Sequence, residues 1–257
     1  MPPSRTLLQL PAPPWIVGHR GAAGEATENT LSAFQRAIAD GADMIELDVQ
    51  LTADGELAVL HDWDLARLAG IPWLVEETRW ADLQTLRLRT SGEREGEPVP
   101  TLEEVLAALP AEFPLNVEIK RRQAARGALC EALIAATAGR RNLLLSSFDH
   151  ELLRELRRRA PAAALAPLAS EHAADALAAA RQLAAVSLHL GSRIAEGPVL
   201  AAAAAARLPV LAFTVNDAAA ARALFSVGVA GVFTDFPGRL RRDLGGAKAR
   251  EPRTDGI

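Results

Sequence analysis

The 257-residue chain is long enough for one large α/β domain with a substantial core, and 49% hydrophobic against 23% charged residues is an ordinary globular balance. A net charge of −4 argues against nucleic acid or anionic membrane as the main partner. The single cysteine, Cys130, rules out an internal disulfide and suits a reducing compartment; it falls in a helical pattern and reads as core.

Residues 1–14 form a Pro-rich lead-in without the apolar stretch of a secretory signal. No window approaches the roughly 20 apolar residues of a membrane span, so the expectation is a cytoplasmic protein without integral membrane association. Strand-type runs follow at 15–19, 44–52, 114–120, 142–148, 163–169, 185–190, 209–215 and 231–235. Several are almost continuously apolar, as expected where both faces of a strand are covered. Helical patterns fill the intervals near 30–40, 101–109, 124–139, 150–160, 171–183, 196–206 and 217–227. In the first, Leu31, Phe34 and Ile38 share a face, Asn29 is expected to cap the start and Gly41 the end. Residues 245–257 are a polar tail, expected to be mobile like the lead-in.

Eight strands alternating with helices predict a single α/β domain over 15–244, a TIM (β/α)8 barrel, with a doubly wound open sheet as the alternative. Two interruptions break the repeat. Asp54-Gly55 marks a hairpin turn after the second strand, and 62–100, carrying Trp63, Trp73 and Trp80, reads as a small insertion over one barrel mouth.

In such a barrel the chemistry gathers at the C-terminal ends of the strands. Glu46 and Asp48 lie two apart and share one strand face, with Ile45, Leu47 and Val49 on the other. Glu118 and Lys120 repeat that spacing on the third barrel strand. Three carboxylates facing one space repel each other and lose hydration unless a cation offsets them. The oxygen-only donor set suits one divalent ion, Mg²⁺ or Ca²⁺, over Zn²⁺. The bland alternative is a buried salt-bridge network with Arg20 and Lys120, which is costly to bury.

A two-residue loop at Asp54-Gly55 would set Ala53 against Glu56 and Asp48 against His61, carrying this second imidazole to the carboxylates. His19 ends the first strand, so two groups that titrate near neutrality are expected beside one acidic cluster. Arg20 offers a planar fork suited to phosphate oxygens. Asp62 is placed either to orient an imidazole or to cap the following loop. Asn29 is expected as a neighbour of the site as well as a cap. His189 is read as a substrate contact or as core, and Phe148 and Phe213 as pocket walls or packing.

Taken together, "HRG" at 19–21, "ENT" at 28–30, "ELDVQLTADGELAVLHD" at 46–62, "EIK" at 118–120, "SSF" at 146–148, "FTVN" at 213–216 and "GVFTDFP" at 231–237 resemble the glycerophosphodiester phosphodiesterases. The motifs run in family order over almost the whole chain. The resemblance implies a TIM barrel whose divalent ion is held by Glu46, Asp48 and Glu118, an acid/base pair in His19 and His61, and Arg20 and Lys120 near the phosphate. It also implies that 62–100 is the family's small insertion. Phe213 departs from the tryptophan that usually begins the strand-7 motif, which bears on the shape of the alcohol pocket. The implied reaction is hydrolysis of a small-molecule glycerophosphodiester to glycerol 3-phosphate and an alcohol. Lysophospholipase D-like headgroup removal, or non-catalytic phosphodiester binding on the same barrel, are the alternatives.

Overall fold

The computed structural model describes residues 9–89 and 95–245. The start of the Pro-rich lead-in, five residues of the charged segment in the insertion, and the tail from 246 lie outside the described residues. Eight strands form the barrel: β1 (Trp15–Gly18), β2 (Met44–Leu51), β3 (Leu115–Ile119), β4 (Leu143–Ser147), β5 (Ala164–Ala169), β6 (Leu188–Gly191), β7 (Val210–Phe213) and β8 (Gly231–Thr234). Each is parallel to its neighbours, and β1 pairs with both β2 (Val17 with Met44) and β8 (Trp15 with Gly231). That double pairing closes the barrel and excludes the open sheet.

The outward residues of β2, Ile45, Leu47 and Val49, join the main apolar core beneath the helices, which leaves Glu46 and Asp48 on the inner face. Each such buried aliphatic side chain contributes about 1.5–3 kcal/mol. Val17, Met44, Leu211 and Phe233 fill the interior with an apolar plug. The outer helices are α1 (Leu31–Ala39), α2 (Leu102–Ala108), α3 (Arg126–Ala136), α4 (His150–Arg159), α5 (Ala173–Gln182), α6 (Gly197–Ala205), α7 (Ala218–Ser226) and α8 (Pro237–Asp243). The last is not anticipated from sequence, because seven residues are too few to show a helical periodicity. No helix of the described residues is long and apolar enough to cross a membrane.

Two local expectations are corrected. Thr30, not Asn29, caps α1: its hydroxyl accepts the Ala33 N–H, while Asn29 takes a positive φ of 59° and turns its amide inward. The hairpin register also shifts by one residue. The return strand Leu57–Val59 pairs Val49 with Val59 and Leu51 with Leu57, and the Thr52 N–H bonds Glu56 O, so the loop is three residues, Ala53-Asp54-Gly55. Gly55, at φ 92°, supplies the left-handed third position of that loop. Asp48 therefore faces Leu60, whose N–H bonds Asp48 O at 3.0 Å, and His61 lies beyond the pairing.

The insertion builds a small core of its own from Leu60, Leu65, Leu68, Val75, Leu83 and Leu88, with Trp80 against it. Trp63 and Trp73 each remain 43% exposed.

Candidate active site

Parallel register places Asp48 beside Glu118 and Glu46 beside Asn116, so Glu46, Asp48 and Glu118 point into one space at the mouth. One carboxylate oxygen from each lies within 4.8 Å of the others, and all three residues are buried. Burial, and then the neighbouring charges of Asp48 and Glu118, push the Glu46 carboxyl well above the usual carboxylate range. Burial and Asp48 likewise raise Glu118. Burial also works against Asp48, but Lys120, Arg20 and His61 outweigh it and hold that carboxyl down at about 2.

The cations partly neutralise this cluster. Lys120 Nζ stands 3.4 Å from Asp48 Oδ1 and closes on Glu118 Oε1, and Arg20 Nε lies 3.5 Å from Asp48 Oδ2. None of these contacts satisfies the buried oxygens with hydrogen-bond geometry, and Glu46 Oε1 has no partner at all. An orphaned buried carboxylate oxygen is costly, and three converging oxygen donors fit a hard divalent cation. The cluster is therefore able to hold a metal ion.

Arg20, at φ 53°, presents both backbone and side chain to the site. Its N–H donates to Glu46 Oε2 at 2.7 Å and its Nη1 to Glu28 Oε1 at 2.8 Å. Asn29 clasps Asp48 from two sides: Nδ2 donates to Asp48 Oδ2 at 2.9 Å, and Oδ1 accepts the Asp48 N–H at 3.1 Å. It is thus a neighbour of the site, as expected, though not the cap.

Both imidazoles stand at this mouth, each against a carboxylate. His19 Nδ1 is 2.7 Å from Asp235 Oδ1, and His61 Nδ1 is 2.8 Å from Asp62 Oδ1. His19 lies in the field of Glu118 and His61 in that of Asp48, so they flank the acidic cluster from two sides. Burial lowers the His61 pKa below its ordinary value, with Lys120 and Arg20 adding to the effect and Asp48 opposing it. Of the two readings of Asp62, contact with the imidazole is the one observed.

Phe148, 45% exposed, packs edge-on against Phe213 with centroids 5.9 Å apart, and Lys120 Nζ sits 5.7 Å from the Phe148 centroid. The two phenylalanines form an apolar wall beside the cations. His189 is corrected to an interior residue: it is fully buried, its Nε2 3.0 Å from Ser187 Oγ and its ring 4.9 Å from that of Phe233, leaving no surface to contact a substrate. Burial drops its pKa to about 3, so it stays neutral. Cys130 is core, its thiol pushed up to about 11 by burial.

The sequence places Asn216 and Asp235 among the polar residues at the ends of the seventh and eighth strands without giving either a role, and it does not single out Glu28 or Arg67. Asn216 Nδ2 donates to Asp235 Oδ2 at 2.6 Å, bracing the partner of His19. Glu28 accepts Arg20 and, through both oxygens, Arg67 at 2.7–2.8 Å. Asp235 and Glu28 stand inside the quoted "GVFTDFP" and "ENT" segments, which was the available signal.

A closed (β/α)8 barrel that sets two carboxylate-held imidazoles and two cations around an acidic cluster offers the groups that acid/base chemistry on a phosphate ester requires. The model of the Glycerophosphoryl diester phosphodiesterase family matches residues 19–239. The chain belongs to that family of phosphodiester-hydrolysing enzymes. It is 34% identical to a glycerophosphodiester phosphodiesterase of Bacillus altitudinis, over 87% of this chain and 95% of that protein. A phosphodiesterase of Oleispira antarctica, solved in complex with the product sn-glycerol-3-phosphate, shares the fold at a TM-score of 0.83 and 27% identity, covering 91% of this chain and 98% of that one. A lysophospholipase D of Mus musculus is 39% identical over 112 residues, 40% of this chain and 35% of its own length.

Proposed function

We propose that this protein hydrolyses small-molecule glycerophosphodiesters to glycerol 3-phosphate and an alcohol, with one divalent cation and a pair of imidazoles. The observation that carries the reading is the buried trio Glu46, Asp48 and Glu118 flanked by His19 and His61, each imidazole held at Nδ1 by a carboxylate. The product bound to the Oleispira antarctica phosphodiesterase supports the substrate class.

A carboxylate at Nδ1 fixes the imidazole tautomer and leaves Nε2 available for proton transfer. One of the two rings removes the proton of the attacking oxygen, either water or the substrate's own glycerol hydroxyl, and the other delivers a proton to the departing alkoxide; where the hydroxyl attacks, water then opens the cyclic phosphate to glycerol 3-phosphate. Arg20 and Lys120 orient the phosphate and offset charge as it builds on the phosphoryl oxygens. Glu46, Asp48 and Glu118 hold the cation, Mg²⁺ or Ca²⁺, whose contribution when bound is Lewis-acid polarisation of a phosphoryl oxygen. Phe148 and Phe213 flank the alcohol, and Asn29 and Asp62 support Asp48 and His61. A cytoplasmic location fits the single buried thiol.

The test is a glycerol 3-phosphate release assay on several glycerophosphodiesters, before and after EDTA, with single-metal add-back. The expected result is release that EDTA abolishes and Mg²⁺ or Ca²⁺ restores. No release from any substrate under any metal overturns the reading. A second reading, headgroup removal from lysophospholipids, is favoured by the exposed Trp63 and Phe148 near the mouth and by the name of the mouse relative. Release of free headgroup from lysophosphatidylcholine in place of glycerophosphocholine would select it.

A further inference from the structure

We infer that Arg67 is a positioning residue for this reaction, a cross-link that holds the His61 imidazole and the Arg20 guanidinium in one geometry. The inference rests on the roles proposed above for His61 and Arg20. Arg67 lies on a four-residue helix, Ala66–Ala69, in the insertion.

Its guanidinium spends its donors on two carboxylates from separate segments. Nε donates to Asp62 Oδ2 at 2.7 Å, Nη1 to Glu28 Oε2 at 2.8 Å and Nη2 to Glu28 Oε1 at 2.7 Å. The far oxygen of Asp62 holds His61 Nδ1, and Glu28 Oε1 also accepts Arg20 Nη1. The result is one chain of contacts: His61, Asp62, Arg67, Glu28, Arg20. It runs from the imidazole expected to move a proton to the guanidinium expected to hold the phosphate. It also pins the insertion to the loop before α1.

An ordinary exposed ion pair contributes little. Here the fork is planar and bidentate on Glu28, which is itself buried, and a third donor fixes Asp62. Without Arg67, Asp62 keeps only its neighbouring histidine as a side-chain partner and is free to rotate. Glu28 then keeps Arg20 alone, and the guanidinium is drawn towards it, away from the phosphate. Misplacement of either group by about 1 Å is enough to slow such a reaction markedly.

Steady-state kinetics on glycerophosphocholine and the downfield ¹H spectrum of the histidine ring protons test this, on the full chain with its metal. Arg67→Ala is expected to lower kcat/KM about 10–100-fold, as is Asp62→Asn. The double variant should fall no further than the worse single, because both act through one contact chain. Arg67→Lys, which cannot span both carboxylates, should lie between. Arg67 is 47% exposed on its side chain, so added guanidinium at millimolar concentration should restore part of the Arg67→Ala activity, and equal NaCl should not. The hydrogen-bonded Nδ1–H of His61, assigned by its absence from His61→Asn, should be visible in the wild type and lost in Arg67→Ala. Activity of Arg67→Ala within twofold of wild type, or fully additive losses, overturns the inference. So does an Nδ1–H signal that is unchanged by the substitution or missing from both proteins. An inactive wild type counts against the proposed function instead, and the ring-proton spectra then decide the role of Arg67 by themselves.

Discussion

His19 Nδ1 lies 2.7 Å from Asp235 Oδ1, a bond that joins the ends of the first and last barrel strands across 216 residues of chain. Barrel closure makes it possible, because β1 pairs with β8 in register up to Gly18 and Thr234. Asp235 is braced in turn: Asn216 Oδ1 accepts its N–H at 2.8 Å and the Thr234 hydroxyl at 3.0 Å. Burial alone would raise the Asp235 carboxyl, but the His19 hydrogen bond and charge outweigh it and hold it below the usual range.

Asp235→Asn should therefore lower kcat about 10–100-fold with KM little changed, since it disturbs the imidazole and not the phosphate contacts. His19→Ala should lose most turnover, and adding Asp235→Asn to it should cost little more. Steady-state kinetics on the four-member cycle measures this. An Asp235→Asn loss that persists in full on the His19→Ala background would show that Asp235 acts elsewhere.

The acidic cluster predicts a reversal of stability with metal. A folded-state pKa raised above the ordinary value means that the folded protein binds the extra proton more tightly, so Glu46 costs stability as pH rises above the usual glutamate range. Glu46→Gln removes that cost, so the metal-free variant should melt above the metal-free wild type at neutral pH. The gap should close as pH falls into the glutamate range. With saturating divalent ion the order should invert, because binding adds about 2.7 kcal/mol at a hundredfold excess over Kd and the variant binds more weakly. Thermal melts with and without ion, beside calorimetric titration, measure both effects. A metal-free variant no more stable than wild type counts against buried repulsion at Glu46.

Much of this was legible in the sequence, for identifiable reasons. The barrel strands stood out because runs such as Met44–Leu51 are covered on both faces and interrupted only by the inward carboxylates. The same period of two exposed Glu46, Asp48 and Glu118 as a cluster. The hairpin register differs because Ala53-Asp54-Gly55 suits a loop of two or three residues; the pairing of Thr52 with Glu56 decides for three, and Asp54 lacks the positive φ that a two-residue type I′ loop requires. Asp235 is legible only as a polar strand end and Arg67 not at all, because their partners, His19 and Glu28, are brought to them by barrel closure and by the folding back of the insertion. The cap of α1 was assigned one residue early because Asn29 and Thr30 are both good caps; Asn29 is drawn away by Asp48.

Gly21 is where the end of β1 meets α1. It takes φ 81°, and a Cβ there would stand 2.5 Å from the Ala33 carbonyl carbon and 2.6 Å from its oxygen. Both are helix backbone, which cannot swing aside. Gly21→Ala should therefore destabilise by more than about 1 kcal/mol, from positive-φ strain plus the forced displacement of α1. It should also shift Arg20, whose N–H bonds Glu46. The expected signature in urea is a lower midpoint with an unchanged slope. A midpoint equal to wild type would show that the segment relaxes freely.

Asp149 gives a pH prediction away from the site. Its carboxylate caps α4 by accepting the Leu152 N–H at 3.0 Å, and it also accepts Arg121 Nε at 2.7 Å and Arg126 Nε at 3.1 Å. Burial raises its pKa, but the Leu152 and arginine bonds outweigh burial and hold it below the ordinary carboxylate value. A depressed folded-state pKa contributes stability that is fully present above the unfolded value and disappears as pH falls through the folded one. Asp149→Ala should thus cost about 1–2 kcal/mol at neutral pH, mostly through the lost cap. Its deficit against wild type should narrow once pH drops below about 3.9, the usual aspartate value. Urea melts from pH 7 down to the acid transition measure the two curves. A deficit that stays constant through the acid range would mean that the charge of Asp149 does not contribute, and that only its shape holds the start of α4.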